Sequence, residues 1–273
     1  MPPKNNSSKS KKNARPADPR TSEELLSQVL VMDLEENEKA WDLIRILQSR
    51  LTTIFPKVQE MVRSDSVPAK CVAAAILGQN GREDKSLGAE CVAELVHLLQ
   101  KESDPAIIGS AVAAIGSFEG LAPRDLILSF AEHPDADVRF HVACAIGTFE
   151  DDKSIAAQIK LSQDSDRDTR NWATFGLGSL IDEDTPAIRA ALAARLDEED
   201  AEIRGEAMVG LANLLDPRVI GPLLKELKDA SPDRPGSHWE EAVEVIGDHA
   251  DKLGPEWDRL LAVLEDLDFS EKN

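Results

Sequence analysis

DADVRFHVACAIG (135–147), DRDTRNWATFGLG (166–178) and DAEIRGEAMVGLA (200–212) are one phrase written three times. Its last nine positions recur further, as KCVAAAILG (70–78), IGSAVAAIG (108–116) and, more loosely, WEEAVEVIG (239–247). The small residues closing this frame are Gly78, Gly116, Gly147, Gly178, Ala212 and Gly247, spaced 38, 31, 31, 34 and 35 residues apart. Self-similarity at such a period means an array of stacked units, in which each unit buries its apolar face against its neighbours.

Each phrase opens as a helix opens. Four residues ahead of the frame stand Ser66, Asp104, Asp135, Asp166 and Asp200, side chains that accept a hydrogen bond from the free N–H groups of a first helical turn. Pro105 falls at a first helical position, and Asp137, Asp168 and Glu202 fall in first turns, where the helix dipole favours them. A second helical pattern precedes each phrase. In the third unit PRDLILSFAEH (123–133) turns Leu126, Ile127 and Phe130 inward, and His133-Pro134-Asp135 makes the turn. First helices are expected near 87–101, 123–133, 154–163, 185–197, 217–229 and 255–266. Second helices are expected near 67–79, 105–117, 136–149, 167–180, 201–214 and 238–249. No segment alternates apolar and polar residues for long enough to make a strand.

Upstream, Trp41, Ile44, Leu47, Leu51 and Ile54 form a one-sided stripe that Pro56 is expected to break or kink. The expected organisation is a disordered basic tail (1–20), a helical N-terminal cap (21–63) covering the open end of the array, and the array itself (64–273).

The chain has 273 residues, 42% of them hydrophobic, and a net charge of −20 from 51 acidic and 31 basic residues. Lys4, Lys9, Lys11, Lys12, Arg15 and Arg20 against Asp18 make the first twenty residues +5 and leave −25 on the rest. That charge suits a basic protein partner and disfavours nucleic acid, except through the tail 1–20. Tyrosine is absent, in keeping with thin Ala/Leu-packed helical layers. Cys71, Cys91 and Cys144 show no CxxC spacing, which points to reduced thiols. With no membrane-length apolar run and no apolar leader, a cytoplasmic location is expected.

At these residues the chain resembles the HEAT-repeat proteins, in the short bacterial form named after phycobilisome lyases, whose unit reads D-x-x-V-R-x-x-A-A-x-A-L-G. The likeness covers roughly residues 64–250, and Lys70, Ile108 and Trp239 depart from the pattern where it has Arg. It implies an all-α, right-handed α-solenoid of about six HEAT-type helical hairpins, with the second helices lining a concave face. On that face each unit presents three positions: Cys71/Val72/Ala75, Gly109/Ser110/Ala113, Phe140/His141/Cys144, Asn171/Trp172/Phe175, Gly205/Glu206/Val209 and Glu240/Glu241/Glu244. The surface then runs from small to aromatic to acidic.

Two readings of the aromatic part stand. Phe140 and Phe175 pack between layers with Trp172 partly exposed, or Phe140, His141, Trp172 and Phe175 form a partner-binding patch. Glu206, Glu240, Glu241 and Glu244 would select a basic segment of that partner. Arg139, Arg170 and Arg204 form a ladder read as structural, each able to bridge to an acid in an adjacent unit, with Asp135, Asp137, Asp166, Asp168, Asp200 and Glu202 near them.

No catalytic, metal or cofactor constellation is expected. None of His97, His133, His141, His238 and His249 is followed by Glu, unlike the His-Glu dipeptides of HEAT-like metal hydroxylases, and Cys/His spacings do not suit zinc. Cys144 lies one helical turn from His141 with no third group to orient the histidine. The function expected is a non-catalytic protein-binding scaffold or adaptor. The alternatives are a bilin-lyase-like protein, or a chaperone or inhibitor that covers a basic surface.

Overall fold

Aspartates set the helix starts. Asp104 accepts from Ala106 N at 3.0 Å, Asp135 from Asp137 N at 3.0 Å, Asp166 from Thr169 N at 2.8 Å and Asp200 from Glu202 N at 3.0 Å. Ser66 accepts from Ala69 N at 3.3 Å. Every cap foreseen in the repeat is therefore formed.

The structure, a computed structural model, describes residues 18–34, 37–83, 86–118, 120–229 and 238–271. Among these residues the chain is all-helical, with no strand. In order the helices are α1 (Ser22–Val29), α2 (Glu38–Gln48), α3 (Leu51–Val62), α4 (Val67–Glu83), α5 (Gly88–Lys101), α6 (Pro105–Ile115), α7 (Arg124–Leu128) and α8 (Ala136–Ile146). They continue with α9 (Asp152–Leu161), α10 (Arg167–Phe175), α11 (Pro186–Ala193), α12 (Ala201–Asn213), α13 (Ile220–Asp229), α14 (His238–Asp248) and α15 (Asp258–Glu271). A π-helical turn, Gly176–Leu180, extends α10.

Each even-numbered helix from α4 to α14 packs on the next, and each lies against the odd-numbered helix before it. The result is a stack of helical hairpins, the α-solenoid of the expectation. Apolar side chains fill it in two successive clusters, one running from Leu25 to Ala173 and one from Ile155 to Leu260. Helices of one layer approach closely because the frame ends in small residues. A Cβ on Gly78 would stand 2.5 Å from the Cβ of Ala114.

The N-terminal region is less of a separate cap than expected. Helix α3 pairs with α4 as the first helix of that unit, and α2 packs on α4, so the expected boundary at 63/64 falls inside a hairpin. Pro56 does not break the stripe; it sits inside α3 with its ring exposed. The break comes at Ser49–Arg50 instead. There the Arg50 guanidinium donates to the carbonyls of Arg20 (2.7 Å) and Asp18 (2.8 Å). Residues 18–20, assigned to the basic tail, are thereby held against the array, while residues 1–17 lie outside the described residues.

Candidate functional site

Phe140 and His141 stand on α8, and Trp172 and Phe175 one unit further on α10. The inward positions beside them are taken by Ala143 and Ala173, both fully buried. The rings turn toward one another instead. His141 lies 5.3 Å from Phe140, Phe140 meets Trp172 at 6.2 Å across the unit boundary, and Trp172 lies 5.5 Å from Phe175 (ring centroids). Edge and tilted contacts of this kind suit aromatic quadrupoles. Phe140, His141 and Phe175 are half-buried, and Trp172 stays 37% exposed. His141 Nε2 is 3.7 Å from Asp137 Oδ2 on the same helix. The four aromatics predicted from the sequence are thus one continuous run with an open centre.

The acids divide. Glu240, Glu241 and Glu244 are exposed on α14. Glu206 is only 8% exposed and is not a surface acid, which corrects the expectation. The cause is tertiary. Helix α12 is wrapped by α10, α11 and α14, so Val209 (1% exposed) and Gly205 of the same trio are buried as well.

The arginine ladder exists, and each arginine reaches an acid of the adjacent unit as expected, though that acid is not Asp135, Asp166 or Asp200. Asp135, Asp166 and Asp200 cap helices, whereas each arginine holds the loop behind it and the unit ahead. Arg139 donates to His133 O at 2.9 Å and grips Asp164 with both arms at 2.8 Å. Arg170 donates to Asp164 O at 2.8 Å and reaches Glu198 at 3.5 Å. Arg204 donates to Glu198 O at 2.7 Å and reaches Glu226 at 3.4 Å. Lys70 takes the same role toward Glu102 at 2.8 Å. Arg139 holds the Asp164 carboxyl below the usual carboxylate range. Asp200 has a partner that the sequence reading missed: Arg167, which also reaches Glu202, holds it down at about 2.

Burial pushes the Cys144 thiol up to about 12, so it stays protonated and is a poor nucleophile. Among the described residues no three His, Cys, Asp or Glu side chains gather in a metal-holding arrangement. The side chain of His238 lies outside the described residues.

Beside the aromatic run the helices carry small residues, and there a cleft of about 650 Å³ opens between α4, α6, α8 and the segment leading into α2. Phe140 and His141 close one end, and Leu34 and Trp41 lie at the other. Trp41 Nε1 donates to Leu34 O at 2.7 Å, which fixes that wall. The stripe spacing had turned Trp41 inward; it is half-buried at the cleft instead.

Residues 92–178 match the family model for HEAT repeats. The chain is 32% identical over 131 residues to protein YibA of Escherichia coli strain K12, a match covering 48% of this chain and 44% of YibA. YibA of Escherichia coli O157:H7 gives the same figures. The chain thus spans less than half the length of the curated relatives it matches. The X-ray structure of Escherichia coli YibA superposes with a TM-score of 0.66 at 21% identity, covering 95% of this chain and 100% of that one, which is a likeness of fold. Among the described residues the protein is an all-α stack of helical hairpins, and residues 92–178 of it match HEAT repeats. No helix among the described residues is long and apolar enough to cross a membrane.

Proposed function

We propose that this HEAT-repeat array is a non-catalytic scaffold or adaptor, working in the cytoplasm, that holds another protein along the face lined by its second helices. The aromatic run from His141 to Phe175 supports the reading. A solenoid with Ala143 and Ala173 inside has no packing need for a tryptophan left 37% exposed. Aromatic anchors that pack among themselves and keep one open face supply a large contact area at low entropic cost. The exposed Glu240, Glu241 and Glu244 on α14 add a field that favours a basic segment and speeds encounter.

The test is affinity capture from the native cell extract on the wild type and on the Trp172→Ala/Phe175→Ala variant, with captured proteins identified by mass spectrometry. A protein held by the wild type and absent from the variant is the expected result. A pigment carried by the protein, with no protein captured by either, would turn the reading to chromophore handling.

A further inference from the structure

The cleft of about 650 Å³ continues the aromatic run past Phe140 toward the N-terminal helices. Its walls are Leu34 and Trp41 on one side and the small face of α4 and α6, with Cys71 and Ala113, on the other. Its volume lies within the range of pockets that bury most of a bound group. Among the described residues, Asp33 and Asp137 are the acids lining it, and no lysine or arginine does. Both acids are on the exposed side of the cleft, Asp137 with 56% of its side chain open. Apolar walls with carboxylates at the rim complement an apolar group that carries positive charge next to it.

We propose that this cleft receives a partner polypeptide segment, one apolar side chain of which enters between Trp41 and α6 while a neighbouring lysine or arginine meets Asp137 and Asp33. The assignment rests on the scaffold reading above and names the partner's chemistry at this end of the face. Continuity with the aromatic run favours a polypeptide. A chain that crosses Trp172 and Phe140 reaches the cleft without leaving the surface, and the acidic rim selects the basic flank.

A displayed library of random decapeptides, selected on the wild type and counter-selected on Ala113→Trp, reads the preference directly. Ala113 is exposed on α6, so the added ring fills the cleft rather than the core. The recovered peptides are expected to share one apolar residue with lysine or arginine beside it. They should weaken at least about tenfold on Ala113→Trp and about threefold on Asp137→Asn. Bound peptide should also slow alkylation of Cys71, followed residue by residue in mass spectra, an observation that does not depend on any variant folding. Peptides without basic enrichment, equal affinity for Ala113→Trp, or unchanged alkylation of Cys71 would each overturn the assignment. So would protection of Cys71 by dodecyltrimethylammonium where no peptide is enriched, which would give the cleft to a small cationic amphiphile. The Trp172→Ala/Phe175→Ala variant leaves the cleft lining intact. A captured partner lost from that variant but kept by Ala113→Trp would therefore leave the scaffold reading standing and end this one.

Discussion

Phe140 on α8 and Trp172 on α10 meet nearly edge to face across a unit boundary, their ring centroids 6.2 Å apart. Trp172 is 37% exposed, whereas Trp257 is 1% exposed in the C-terminal core. Trp172→Ala should therefore change stability by only about 1 kcal/mol, and Trp257→Ala by about 3–5 kcal/mol. Urea unfolding of both variants checks this. Equal losses would make Trp172 a packing residue.

Gly178, in the π-helical turn after α10, touches Gly210 of α12 backbone to backbone; a Cβ on Gly178 would lie 2.8 Å from the Gly210 Cα. No flexible side chain stands there to give way. Gly178→Ala should lower stability by about 1–3 kcal/mol, read as a drop in Tm. By contrast a Cβ on Gly247 meets nothing within 4 Å, so Gly247→Ala should be tolerated.

Arg139 and Asp164 form a two-armed pair with side chains only 14% and 10% exposed. Removing either partner leaves the other buried without its charge, so Arg139→Met and Asp164→Asn should each destabilise the array by about 2–3 kcal/mol. The double variant should lose less than the sum, with a coupling of about 1–3 kcal/mol. Additive losses in the cycle would show that the two side chains do not act together.

Acid should unfold the array by a route the carboxylates specify. Arg218 first, and Arg189 with it, hold Asp216 far below the usual carboxylate range, and Asp216 is nearly buried. Arg167 does the same to the more accessible Asp200. The native state thus takes up these protons less readily than the unfolded chain. Their stabilisation is complete above the unfolded value near ~4 and is lost as the pH falls through the depressed native values. The urea midpoint is expected to fall progressively from about pH 5 down to about pH 2. Asp216→Asn should lower the midpoint at neutral pH and flatten that acid limb. A wild-type midpoint unchanged over the same range would contradict the assignment.

What could be read from the sequence was what short-range chemistry decides. Asp135, Asp166 and Asp200 cap helices because the N–H groups they serve are two or three residues away, and the aromatic run follows from helical spacing plus one repeat period. What could not be read depends on packing between distant segments. Glu206 occupies an outward position in the frame yet is buried, because α14 closes over α12. That the arginines bridge adjacent units was legible, but not that they bypass the acids nearest in sequence for Asp164, Glu198 and Glu226, which the next hairpin brings back to them. Pro56 looked like a breaker, but its ring faces solvent within α3, while Arg50 ends the stripe by reaching residues near the start of the described chain. The cleft beside Trp41 had no signal at all, since its walls come from four helices.

The central claim is that the open aromatic run holds a partner. The measurement that meets it most directly is the dissociation constant of the captured partner for the wild type and for Trp172→Ala/Phe175→Ala, with helix content followed by circular dichroism. The account predicts unchanged helix content and binding weaker by about 2–4 kcal/mol. Equal affinity in a folded variant would contradict it and move the binding surface elsewhere on the array.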